Sequence, residues 1–138
     1  MHRAYRRVRD EAAPDLDWLQ TLTDEERMFF RDRGQTMADR LLMFLDAPEL
    51  DHARSHLAGA EAAAEQQGAA MAALGMSLTQ TVEAFLRFRE PFHDVLAATV
   101  RRRGFDTAET TDLMVAAERA MDRLLVATMR GHGEAGRA

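Results

Sequence analysis

Few residues in this chain could do chemistry, and their spacing limits what that chemistry could be. Two Glu-x-x-His pairs occur, Glu49 with His52 and Glu90 with His93. Residues three apart project to one side of a helix, and di-iron carboxylate bundles arrange ligands in this way. The two pairs do not share a depth. His52 begins its helix, whereas His93 lies well inside the next, an axial offset on the order of 10 Å between antiparallel neighbours. Glu90 also falls on the solvent side. A shared dinuclear site is not expected. In "HARSH", His52 and His56 stand at i and i+4, which can hold one metal ion with Asp51 or Glu49 beside it. His93 could ligate haem in a pocket of Phe and Met. Each has a plainer counterpart: a solvated histidine pair, and a histidine at the core edge held by a neighbour. A metal- or haem-binding bundle is therefore the alternative reading, and no cofactor is expected. No Ser-His-Asp set, Gly-rich phosphate loop or paired-carboxylate motif can be placed. The expectation is a protein that is not an enzyme.

One charged residue stands out by position. The stretch "TVEAFLRFREPFHDVL" is amphipathic, with Leu78, Val82, Phe85, Leu86, Phe88, Phe92, Val95, Leu96 and Val100 on one broad apolar face. Arg89 lies inside that face, and His93 lies at its edge. Desolvating an unpaired guanidinium costs several kcal/mol, so Arg89 needs a solution. It can pair internally, with Glu118 or Asp122 across the Gly104 turn, or with Glu61 or Glu65 across the Gly75 turn. It can reach water from the flank. Or it can bind a small anionic ligand, with Arg89 and His93 forming one wall of a pocket beside Phe85 and Phe92.

The elements that position these residues are helices. "TDEE" at 23–26 is a capping box, and the helix it opens runs to about Asp46, before Pro48. Its apolar line is Phe30, Met37, Leu41, Phe44 and Leu45, with Gly34 on the same line. A second helix covers about 50–74, with a seam of Ala53, Leu57, Ala60, Ala64, Gln67, Met71 and Leu74. That seam is mostly small, so a neighbouring backbone can come close. Gly75 suits the end of this helix. Ser77 with Gln80 caps a third helix that runs from Leu78 to Arg103, stopped by Gly104. Pro91 interrupts its hydrogen bonding and falls, on a helical wheel, away from the apolar face. Asp106 with Glu109 caps a last helix to about Arg130, with Leu113, Met114, Ala117, Met121, Leu124, Leu125 and Thr128 inward.

The fold expected is all-α: an antiparallel four-helix bundle, with globin-like packing as the alternative and an extra N-terminal helix or arm. Residues 1–20 form that arm, which carries Arg3, Arg6, Arg7 and Arg9, with Trp18 and Leu19 available to pack. Residues 21–130 form the domain, and "GHGEAGRA" at 131–138 reads as a disordered tail or linker.

Composition bounds the partners. The chain has 138 residues, 46% hydrophobic and 30% charged, which suits one folded domain. Its net charge of −5 disfavours nucleic acid as a partner. There is no cysteine, hence no disulfide or thiolate site. No apolar run has the length of a membrane span, so a cytoplasmic location is expected.

The run "AALGMSLTQTVEAFLRFREPFHDVL", with its Gly, "SL" cap and "F-x-x-F-R", resembles the N-terminal domain of RsbRD-type stressosome co-antagonists. It is also similar to N-terminal sensory regions of some PucR-like regulators. The resemblance spans about residues 24–130. It implies an all-helical, dimeric sensor or regulatory module of bacterial signal transduction that binds no haem and has no catalytic residues. Relatives of that kind carry a covalently linked output domain, in stress response or transcription regulation. The expectation is thus a regulatory module that dimerises and responds to a small ligand or a partner protein.

Overall fold

The computed structural model describes residues 21–47 and 49–137. The expected N-terminal arm, with Trp18 and Leu19, lies outside them. Four helices follow one another: α1 (Asp24–Asp46), α2 (Leu50–Ala73), α3 (Leu78–Arg103) and α4 (Thr107–Arg137). Among the described residues there is no strand. The protein is an all-α bundle.

Local chemistry sets the boundaries. Thr23 Oγ1 accepts from Glu26 N–H at 3.1 Å, and Glu26 accepts from Thr23 N–H at 2.8 Å. Ser77 and Gln80 repeat this box at 3.1 and 2.9 Å, as do Asp106 and Glu109 at 2.7 and 3.2 Å. Each reciprocal pair satisfies two otherwise orphaned N–H groups at a helix start. At the end of α2, Gly75 adopts φ +83° while Met76 N–H reaches the Met71 carbonyl and Gly75 N–H that of Ala72. This is a Schellman stop, and its left-handed residue is one that glycine adopts without strain.

Side-chain pairs between helices fix their directions. Arg33 meets Gln66 and Arg40 meets His56, so α1 and α2 are antiparallel. Arg123 meets Glu61 and Arg130 meets Glu65, so α2 and α4 run parallel. The order is therefore up-down-up-down. The packing is uneven. The most extensive contact is between α2 and α4, a diagonal pair in a regular bundle, followed by α1 on α2 and α3 on α4. Small residues explain this. Ala60, Ala63, Ala64 and Gly68 face Ala117, Ala120, Ala127 and Gly131, all buried, so the two backbones approach closely. Larger side chains from the flanking helices, Met37, Leu41, Phe85, Phe92 and Leu96, close the core with Met121 and Leu124.

Three expectations are corrected. First, 131–137 is not a disordered tail, because α4 continues through it. Gly131 is buried against α2, and His132 Nε2 donates to the Met76 carbonyl at 2.8 Å, which ties this end to the α2–α3 turn. Second, Pro91 is fully buried rather than outward. A proline ring brings no N–H that burial would strand. Third, Leu78 and Leu86 are each 43% exposed and Leu74 is 39% exposed. Because α3 packs mainly on α4, its wide apolar face is only partly covered.

Candidate functional site

The i, i+4 spacing on α3 presents Arg89 and His93 to the same side, and α4 places Glu118 opposite both. Arg89 Nη2 donates to Glu118 Oε2. His93 Nε2 lies 3.1 Å from Glu118 Oε1, close enough for an ion pair. The two are out of line for a directed hydrogen bond, so the buried Nε2 has no hydrogen-bond partner. The cluster sits at the rim: Arg89 is 27% exposed, His93 35% and Glu118 41%. Arg89 is thus paired internally, with one of the two partners nearest in register. Asp122 is exposed and takes no part, while Glu61 and Glu65 are held by Arg123 and Arg130.

Phe85 and Phe92 do not join this cluster as pocket walls. Both are buried in the main core, and the Phe85 ring packs tilted on Phe88 with centroids 5.8 Å apart. The four residues expected to hold a ligand therefore divide, with Arg89 and His93 at a salt-bridged rim and Phe85 and Phe92 in the interior.

The histidine pair on α2 lies beside a shallow cleft of about 400 Å³ lined by Asp39, Asp46, His52 and His56 among others. Exposed His52 has its Nδ1 3.8 Å from Glu49. His56 Nδ1 is 3.1 Å from Arg40 Nη1. A guanidinium only donates, so this ring nitrogen accepts and its lone pair is occupied. Asp39 accepts from Gln35 at 2.9 Å. Among the described residues, no three His, Asp or Glu side chains are grouped so as to hold a metal ion.

Two surface features escaped the sequence reading. One is a larger cleft of about 760 Å³ between the C-terminal halves of α1 and α3. Only the three-dimensional gap between those helices reveals it. The other is a strip on the outside of α4. Val115, Arg119, Asp122 and Val126 are spaced by four, three and four residues, which keeps them within about 60° on a helix. All four are exposed, and Arg119 and Asp122 form no ion pair among the described residues. Its spacing is visible in the sequence, but only the packed bundle shows that this side of α4 stays uncovered. Among the described residues, no helix is long and apolar enough to cross a membrane.

No family model, curated protein or solved structure matches this chain.

Proposed function

We propose that this chain is a non-enzymatic regulatory module that self-associates through the outer strip of α4 and responds to a small ligand or partner protein. The observation that carries the reading is the palindrome of that strip. A two-fold axis between Arg119 and Asp122 would lay α4 antiparallel on its copy. Arg119 would then face the partner's Asp122, and Val115 the partner's Val126, each twice. A patch that complements itself under a two-fold axis is what an isologous dimer requires. Exposed Met129, close to the same strip, extends its apolar part. Internal pairing of Arg89, Glu61 and Glu65 supports a structural rather than catalytic use of these charges. The resemblance to stressosome co-antagonist and PucR-like sensory regions gives the role its proposed context in bacterial stress response and transcription regulation, with an output domain or partner downstream.

Sedimentation equilibrium over a wide concentration range tests this. The wild type is expected to show a concentration-dependent dimer. Arg119→Asp, or Asp122→Arg, sets like charges opposite each other and is expected to shift the protein to monomer. The double swap restores opposite charges and is expected to restore the dimer. A wild type that stays monomeric throughout would overturn the reading, as would single variants that dimerise unchanged.

A further inference from the structure

The cleft between α1 and α3 has the shape and charge of a ligand site. The two helices share no extensive packing, and at this end they are bridged by Arg103 Nη1 and Asp46 Oδ1 at 3.1 Å. The apolar part of the lining comes from Leu42 and Leu45 of α1, Leu113 of α4 and Phe105 of the turn before it, and Asp46 and Asp94 line the cleft as well. The four apolar side chains are half-buried, so they form a floor that the bundle itself leaves uncovered. The wall from α3 is low, with Ala97, Ala98 and Thr99. A volume of about 760 Å³ is within the range of small-molecule sites.

The rim carries the wrong charge for an acidic protein. Net charge over the chain is −5, yet Arg101, Arg102 and Arg103 border this cleft together. Arg103 is neutralised by Asp46, and Asp94 has a partner of its own. Arg101 and Arg102 form no ion pair among the described residues. Three arginines do complement the C-terminal dipole of α3. That accounts for a charge at this helix end, but not for an open apolar floor beside it.

We propose that the α1/α3 cleft binds a small amphipathic anion, an aliphatic carboxylate whose chain lies on Leu42, Leu45 and Leu113 and whose head group is held by Arg101 and Arg102. A compact anion such as phosphate would leave the floor uncovered, and a neutral hydrocarbon would leave both guanidinium groups unanswered. The inference gives a place to the small-ligand part of the regulatory reading and rests on that reading for its biological sense. Binding here and self-association along α4 are reported by different residues, so either can fail without the other.

Titration with sodium decanoate, kept below micelle formation, is the test. It is followed by calorimetry and by methyl NMR of Leu42, Leu45 and Leu113. Saturable binding with shifts at those leucines is expected. Arg101→Glu with Arg102→Glu is expected to weaken it at least tenfold while the circular dichroism spectrum is kept. Ala98→Trp, an exposed position on the wall, is expected to block it with the rim charge intact. Decanol and acetate, each lacking half of the amphiphile, are expected to bind at least tenfold more weakly. Arg119→Asp on α4 should leave it unchanged. The proposal is overturned by absence of saturation, by charge-reversed protein that binds within threefold of wild type, or by decanol binding as tightly as decanoate.

Discussion

Gly68 of α2 and Thr128 of α4 meet backbone to backbone. A Cβ added at position 68 would fall 2.0 Å from the Thr128 carbonyl oxygen, and one added at Gly131 would fall 2.0 Å from the Glu65 carbonyl oxygen. The two glycines thus serve the same interface from opposite sides. Neither obstacle is a flexible side chain that could turn away, so an added methyl must push two helices apart.

Gly68→Ala and Gly131→Ala are each expected to destabilise the fold by about 1–3 kcal/mol or more, the usual cost of overpacking a closed interior. Gly133 is the internal control, since a Cβ there has nothing within 4 Å. Gly133→Ala is expected to stabilise by about 0.5–1 kcal/mol through helix propensity. Urea denaturation of the three variants checks both signs. Equal losses at all three positions would contradict the close approach.

At the rim of α3 and α4, the two ends of one salt bridge should not be equivalent. Glu118→Ala takes away the carboxylate that Arg89 and His93 share and leaves them side by side on the apolar face. A loss of about 1–2 kcal/mol is expected, discounted because the cluster is partly exposed. Arg89→Met removes the charge that needed a partner and keeps the packing, so its expected loss is smaller. A double-mutant cycle with the combined variant measures the coupling. If Arg89→Met proves the costlier single change, the pair does not act as described.

The C-terminal turns of α4 should behave as folded structure. Amide hydrogen exchange at 131–135 is expected to be slowed like the rest of α4. His132→Ala, which loses the bond to the Met76 carbonyl, is expected to cost about 1 kcal/mol and to speed exchange at this end. Fast exchange throughout 131–137 in the wild type would restore the reading of this segment as a tail.

The four described helices, the capped starts of three of them and the short list of partners for Arg89 were legible in the sequence, because each depends on local spacing or on register across a short turn. Capping boxes at Thr23, Ser77 and Asp106 announce themselves within four residues. Counting back from Gly104 puts Arg89 opposite Glu118 and Asp122, and only the packed helices single out Glu118. What stayed hidden depends on packing between distant segments. "GHGEAGRA" reads as a tail because glycine lowers helix propensity, and only the α2 backbone beside Gly131 shows why glycine is required there. Leu78 and Leu86 sit on a predicted apolar face, but periodicity says which side is apolar and not whether a neighbour covers it. The α1/α3 cleft exists because α2 and α4 pack on each other across the diagonal, and no single stretch of sequence encodes that.

The close seam between α2 and α4 makes these two helices a stiff keel, with α1 and α3 fastened to opposite members of it. Alanine and glycine at the centre of that contact leave few long side chains there to change rotamer, so the keel has few ways to yield. The flanking helices share little with each other beyond Arg103 and Asp46. Anything that wedges between them will therefore be felt as a splaying of α1 from α3, hinged on a frame that holds still. That motion would alter the distance between the Asp46 and Arg103 ends without disturbing the outer strip of α4. A spectroscopic ruler between those two ends would read the keel and its outriggers as separate mechanical parts.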